Sequence, residues 1–315
     1  MRNLILITQP GRQDPRDFEE IAERVRKLDR YIRVFVITPG HTSDDIKRED
    51  WRNPTLTVTP GNMGNFRPLR GRFFYNRQIS KERQAELFKS DGIRTPRTIA
   101  YSAGMVLDED EWGPVVVIKP SSLKQTSIGQ SASLVQLKNL NDFSSLADPL
   151  KERIMSDGVL VQEFIPTGDY PTSYRAGTFL GRVIHMMKKR SNIPIVDLAT
   201  AGIDGLNIDS NHESPRENDF AARELVADEE IMAFAARIAK VFPGLPLLGI
   251  DIVRHSKTGE LFALEVNGGG NTWQFSSRHA AQGRLVISKE ERVKQFDAWN
   301  TCARALVETT RNQAS

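Results

Sequence analysis

The stretch from residue 247 to residue 267 leaves this chain few ways to fold. Two apolar runs, 247–253 and 261–266, flank His255, Ser256, Lys257, Thr258, Gly259 and Glu260. Turn formers cluster between the runs, so the spacing predicts a β-hairpin that reverses near Thr258. Pairing about that centre sets Val253 opposite Ala263 and Asp251 opposite Glu265. The side-chain period of two then puts Glu265 and Asn267 on one face, with Asp251 on the facing strand. Like charges opposite one another destabilise a strand pair by up to ~1 kcal/mol, and burying them without compensation costs several kcal/mol more. A hard divalent cation offsets that cost, because Mg²⁺ takes oxygen ligands in octahedral geometry and keeps positions for water or phosphate. Two arrangements meet the same pattern without metal. Each carboxylate can be salt-bridged separately to Arg or Lys, or a bulge can turn the two apart. The hairpin alone does not separate these readings.

The rest of the chain alternates strands and helices. Apolar runs at 4–8, 32–38 and 55–59 predict strands, the last two ended by Pro39-Gly40 and Pro60-Gly61. Residues 15–28 predict a helix with Asp14 as N-cap and Pro15 in its first turn. Such elements joined by short loops predict parallel βαβ units, hence a small Rossmann-like N-terminal domain over residues 1–77. The Gly-x-Gly-x-x-Gly fingerprint is missing after the first strand, where Thr8-Gln9-Pro10-Gly11-Arg12 stands, so this domain is not expected to hold a dinucleotide in the usual way. Phe73 and Phe74 predict a short strand, and residues 80–90 a helix capped by Ser80 and closed by Gly92. Strands follow at 115–120 and 159–165, with strand-like sequence over 176–187 turning at Gly181. An amphipathic helix is predicted over 224–242, with Leu225, Ile231, Phe234, Ala235, Ile238 and Val241 on one stripe, and a last helix over 290–308. The class is α/β (α+β), and 315 residues imply two or three domains or lobes.

Three further segments carry candidate chemistry. Lys119 ends an apolar strand beside Pro120 and the polar segment 121–133, where a lysine can act as a point charge on a phosphate; a strand-end lysine that snorkels to water is the commoner case. Glu163 interrupts an apolar strand before Phe164-Ile165-Pro166, where a backbone edge can read an adenine with Glu163 accepting from the exocyclic amine. Gly168-Asp169 follows in a turn, and its carboxylate can bind ribose hydroxyls; a solvated edge glutamate and turn aspartate are the commoner case. Lys188-Lys189-Arg190 is a basic run that also reads as a solvated face.

Taken in order, these features resemble the ATP-grasp superfamily of carboxylate–amine ligases, in the manner of ribosomal-protein glutamate ligase and glutathione synthetase-like enzymes. The residues that carry the resemblance are Lys81-Glu82, Gly92-Ile93-Arg94-Thr95-Pro96, Val116-Val117-Ile118-Lys119-Pro120, Val161-Gln162-Glu163-Phe164-Ile165, Gly249-Ile250-Asp251-Ile252 and Leu264-Glu265-Val266-Asn267. It covers about residues 76–273 and implies a small ATP-grasp lobe over 78–166 and a C-terminal lobe with the metal site over 167–315. It further implies that Lys119 and Lys81 meet the phosphates, that Gln162, Glu163 and Ile165 contact adenine, and that Asp169 contacts ribose. Asp251, Glu265 and Asn267 become ligands of Mg²⁺ (or Mn²⁺), and Arg190, with Lys119, becomes catalytic at the γ-phosphate or acyl phosphate. The implied reaction activates a substrate carboxylate with ATP and joins it to an amine, releasing ADP and phosphate. The carboxylate and amine would be borne by small molecules or peptides. Two alternatives remain: a kinase whose anionic substrate meets Arg175, Arg182, Lys188 and Arg190, and a nucleotide-binding regulator without turnover. The segment 121–130 holds one glycine and Lys124 where many relatives have a glycine-rich lid, and Gly268-Gly269-Gly270-Asn271-Thr272-Trp273 suggests a substrate-facing loop.

Composition narrows the setting. The formal charge is +3, and no run approaches ~20 apolar residues, so neither a nucleic-acid partner nor a membrane is expected. Cys302 is the only cysteine, which fits a reducing, cytoplasmic compartment. Homodimers are common among the enzymes resembled, although no stripe marks an interface. Arg12, Arg67, Arg70, Arg72 and Arg278 are candidates for reading carboxylates.

Overall fold

The computed structural model describes residues 1–9, 11–38, 50–63, 68–120, 133–146, 148–157, 159–192, 194–195, 222–269, 272–278, 280 and 287–315. The lid segment 121–130, the irregular segment 199–218, Arg67 and Asn271 lie outside the described residues.

Strands β1 (Arg2–Ile7), β2 (Ile32–Ile37), β3 (Thr55–Thr59) and β4 (Arg72–Tyr75) form a parallel sheet in the order β2-β1-β3-β4. Helix α1 (Pro15–Leu28) begins where the Asp14 side chain accepts from the Arg16 amide. It buries Phe18, Ile21, Ala22 and Val25, a helical stripe, in the same core as Leu4, Leu6, Leu56 and Val58. That core also takes in residues from the far end of the chain. The segment predicted as one helix over 290–308 is two, α7 (Lys289–Gln295) and α8 (Ala298–Gln313). The break falls at Phe296-Asp297, where Asp297 takes a left-handed conformation. Helix α8 packs Ala298, Trp299, Cys302, Ala303 and Leu306 into the α1 core.

A second sheet combines β5 (Thr98–Tyr101), β8 (Val159–Glu163), β6 (Val115–Pro120) and β7 (Ser133–Gln136), antiparallel in the order β5-β8-β6-β7. Its core face, with Val116, Ile118 and Val161, packs on α3 (Glu109–Trp112), α4 (Leu137–Asn141) and α5 (Asp148–Asp157).

The third sheet is antiparallel, in the order β11-β10-β9-β12-β13, from β9 (Thr172–Phe179), β10 (Arg182–Arg190), β11 (Ala222–Leu225), β12 (Leu247–Arg254) and β13 (Leu261–Asn267). Residues 224 and 225 were expected inside a long helix but form a strand with Ala222 and Arg223. This strand pairs with Met187 to Arg190, and helix α6 spans only Glu229–Lys240, because Asp228 caps it by accepting from the Ile231 amide. One sheet face (Ala176, Met186, Ile250, Ile252, Val266) packs on Ile231, Ala235 and Ile238 of α6 and on Phe88 of α2 (Lys81–Ser90).

The hairpin pairs Asp251 with Glu265, as the turn position implies, but a bulge intervenes between Asp251 and Ile252. Leu264 is the extra residue, so Val253 faces Phe262 rather than Ala263. The open end of the hairpin is fixed by two side-chain amides. Asn76 Nδ2 donates to the Leu247 carbonyl at 2.6 Å, and its Oδ1 accepts from the Leu247 amide at 3.1 Å. Gln84 makes the equivalent pair with Val266.

Asn76 is fully buried, so Asn76→Leu strands two backbone groups. The expected loss is ~2–5 kcal/mol of unfolding free energy, read as a lower urea midpoint at unchanged denaturant slope.

Candidate active site

The acid-bearing face of the third sheet is the one turned away from α6. Register places Arg175, Asp251 and Glu265 in one row across β9, β12 and β13, and Gly177, Gly249 and Asn267 in the next. Arg175 Nη1 donates to both Asp251 oxygens, at 3.0 and 2.7 Å. Asn267 Nδ2 donates to Asp251 Oδ2 at 3.2 Å and to Glu265 Oε1 at 3.0 Å. The bulge therefore does not separate the carboxylates, and Asp251 is also salt-bridged. Gly249 makes room for this row: a Cβ there would meet Thr272 Cγ2 at 2.6 Å and the Arg175 guanidinium at 3.0–3.1 Å.

Lysines from two other elements act electrostatically on Glu265. Burial pushes the Glu265 carboxyl up, but Lys119, the Asn267 amide, Arg175 and Lys81 outweigh it and hold it below its ordinary value. Lys119 stands at the end of β6 and Lys81 begins α2, so both predicted phosphate lysines bring positive charge to Glu265. Beside Lys119, on the sheet face turned from its core, lies a small apolar group of Leu134, Val115, Val117, Phe164 and Ile195.

The other predicted contacts are placed as follows. Val117 pairs with Gln162 and Val116 with Glu163, so alternation gives Gln162, not Glu163, the Lys119 face. The Gln162 amide donates to Thr98 Oγ1 at 3.0 Å. The Glu163 carboxylate accepts from the Arg97 amide at 3.1 Å and lies on the face opposite Lys119. Ile165 is buried. Asp169 is exposed in the turn after Gly168.

Arg190 is not brought to the acids. It is exposed, with its guanidinium over the Tyr170 ring at 4.6 Å. The cause is a second bulge, between Val183 and His185 in β10. One extra residue, Ile184, inverts every face counted from the Gly181 turn. As a result Met187 and Lys189 share the Arg175 face, while Lys188 and Arg190 do not. Lys189 is buried. The basic patch expected for a phosphorylated substrate is dispersed: Arg182 pairs with Glu308, and Lys188 with Glu224. Of the arginines proposed as carboxylate readers, Arg70 donates to the Arg52 carbonyl and Arg72 to Gln313. Arg278 lays its guanidinium against Gly11, the neighbour of Arg12.

Among the described residues no three His, Cys, Asp or Glu side chains gather as a metal site. The set is instead two carboxylates and an amide. It suits an oxygen-seeking cation, because the like-charged pair is already drawn together by the Asn267 NH₂. Half a turn of that carboxamide would present oxygen in place of nitrogen.

Sequence reasoning missed Lys189, Gln84 and the importance of Arg175. It also missed His185, which is buried with neither ring nitrogen hydrogen-bonded among the described residues. The tertiary structure was needed to see all four.

No protein-family model and no curated protein matches this sequence. Solved structures do match by fold. PsnB, an ATP-grasp ligase solved with a phosphomimetic variant of its minimal precursor, Mg and ADP, is 14% identical with a TM-score of 0.52 over 98% of each chain. PsnB with precursor peptide PsnA2 and AMPPNP is 15% identical with a TM-score of 0.52 over 98% of each chain. D-alanine–D-alanine ligase from Bacillus anthracis is 15% identical with a TM-score of 0.45, over 98% of this chain and 99% of that one. The fold is that of the ATP-grasp ligases, as the order of motifs implied.

Burial, then the charges of Arg292, Arg175 and Lys189, push His185 from 6.5 down to about 3. The folded state thus refuses a proton that the unfolded chain accepts below pH 6.5. The stability this contributes is complete above that pH and falls by ~1.4 kcal/mol per unit as pH drops toward 3. His185→Leu is expected to flatten the pH dependence of urea unfolding between about pH 6 and 4 by that slope.

Proposed function

We propose that this chain is an ATP- and Mg²⁺-dependent ligase that activates a substrate carboxylate as an acyl phosphate and joins it to an amine, releasing ADP and phosphate. The observation that carries this reading is the convergence of Lys119, Lys81 and Arg175 on the Asp251–Glu265–Asn267 row. Anions bound there meet three cations, and a divalent cation meets three potential oxygen ligands. The ATP-grasp fold supports the same reading, as do the nucleotides and Mg bound by PsnB.

Each residue then has a physical task. Lys81 and Lys119 neutralise the phosphates from two different elements, which also fixes their position. Asp251, Glu265 and the Asn267 oxygen would hold Mg²⁺, which when bound polarises phosphoryl oxygens as a Lewis acid. The apolar group of Val115, Val117, Phe164 and Ile195 offers a base a flat, half-buried floor beside Lys119. The Ile165 backbone is retained as its hydrogen-bonding edge, and Asp169 as the ribose contact. Arg175 and Lys189 face the transferred group from adjacent strands and stabilise charge that builds there. Lys189 thereby takes the role the resemblance gave Arg190. Catalysis is positioning and charge neutralisation, with no protein nucleophile. The carboxylate and the amine are borne by small molecules or by a peptide, as the PsnB precursor complexes illustrate for that enzyme.

The test is ADP formation from Mg-ATP with pooled amino acids and small carboxylic acids, with hydroxylamine to trap acyl phosphate as hydroxamate. ADP together with hydroxamate is expected. Glu265→Gln and Asp251→Asn should each lower the rate at least ~100-fold. ADP with neither hydroxamate nor free phosphate would sink the ligase reading in favour of a kinase. Lys189→Ala is expected to reduce kcat by ~10²-fold and Arg190→Ala by less than ~3-fold; the reverse order would return the role to Arg190.

A further inference from the structure

β13 is the edge of its sheet, and it bears two of the three proposed metal ligands. An edge strand has one row of backbone groups with no strand to pair with. In β13 the residue between the ligands is Val266, and its open N–H and C=O are both taken by one side chain. Gln84 Oε1 accepts from the Val266 amide at 2.8 Å, and Gln84 Nε2 donates to the Val266 carbonyl at 3.0 Å. Nε2 also donates to the Ile79 carbonyl at 3.0 Å. Gln84 is 7% exposed, so water does not compete for these bonds, and its carboxamide stands in for the missing neighbour strand.

Gln84 lies three residues after Lys81 on α2, so the two share a helix face. The helix that brings one phosphate cation to the site is thus bonded directly to the backbone between Glu265 and Asn267. The arrangement does more than satisfy an edge. A slide of β13 against α2 would change the distance from Lys81 to the carboxylates, and the Gln84 bonds span that contact. At the other end of the strand's open edge the Ala263 amide donates to the Arg94 carbonyl at 2.9 Å, which leaves the ligand-bearing end to Gln84.

We propose that Gln84 is a positioning residue of the active site: its carboxamide sets the spacing between Lys81 and the metal-binding residues Glu265 and Asn267. This rests on the reading of Glu265 and Asn267 as ligands of a nucleotide-bound divalent cation. Neighbours that orient ligands without touching the metal typically change its affinity by 10–100-fold when removed.

The experiment uses the full chain and measures binding of Mn²⁺ with AMPPNP by electron paramagnetic resonance, beside a thermal melt. Gln84→Met keeps length and packing and removes all three bonds. Gln84→Glu keeps an acceptor for the Val266 amide and serves if the methionine variant does not fold. In either variant Mn²⁺·AMPPNP affinity is expected to fall by about tenfold or more. Adding Lys81→Ala to Gln84→Met should then cost less than Lys81→Ala costs the wild type, because the spacing that makes Lys81 effective is already lost. A lowered melting temperature with wild-type Mn²⁺·AMPPNP affinity, or strictly additive effects of the two substitutions, would show that Gln84 only supports the fold and overturn the proposal. A wild-type chain that binds no Mn²⁺·AMPPNP overturns the functional reading and this inference together.

Discussion

Two carboxylates face each other across neighbouring strands, and the third sheet is organised around making that tolerable. Asp251 and Glu265 occupy paired positions where like charges repel. The repulsion is met by Arg175 in the same row, by the Asn267 amide from the next, and by Lys119 and Lys81 from outside the sheet. Each contributor requires something of the fold. Arg175 needs the space that Gly249 leaves, Lys119 needs the second sheet to end at the acids, and Lys81 needs α2 docked on β13. The opposite face of the sheet is apolar and packed on α6. The charged row is therefore carried by a rigid floor, as a site that must hold charges within fractions of an ångström requires.

Much of this was legible locally. The hairpin declared itself through turn chemistry, and its Asp251–Glu265 register followed from the position of the reversal. Lys119, the Ser80 cap and the parallel N-terminal strands were likewise readable over short windows. What failed failed for tertiary reasons. The phase of β10 depends on a bulge at Ile184 that no local propensity announces, so the cation on the acid face is Lys189 and not Arg190. Leu225 fits a helical stripe, but residues 222–225 are taken by β10 as a strand partner. Gln84 looked like an ordinary polar helix residue, because its significance lies in an edge strand 182 positions away.

The long-range contacts also explain why the sheets keep a fixed relation. Asp17 on α1 is buried, and it accepts from Trp273 Nε1 at 2.8 Å and Ser276 Oγ at 2.6 Å, with Lys289 completing its neutralisation. The Asp14 amide donates to Ser276 Oγ at 2.8 Å. Trp273 itself is enclosed by Phe18, Phe179, Phe275 and Trp299. The segment leaving the acid strand at Asn267 is thus anchored on the N-terminal sheet within a few residues. A buried carboxylate with several donors is strongly destabilising to break, so this anchor ties the position of β13 to the core under the N-terminal sheet.

Asp251 and Glu265 find partners within the chain itself. Arg175 and the Asn267 NH₂ already supply positive charge to Asp251 and Glu265. In the proposed reading a nucleotide-bound cation would substitute for interactions that exist rather than fill a void. The Asn267 amide would then turn, and Arg175 would share or release Asp251. Arg175 so released would be a guanidinium beside a phosphate, where a reaction that moves a phosphoryl group needs positive charge. Such an exchange would need no large motion, since Arg175, Asp251, Glu265 and Asn267 sit on adjacent strands of one sheet. The Asn267 carboxamide suits both states, since it donates to two carboxylates in one orientation and would offer an oxygen in the other.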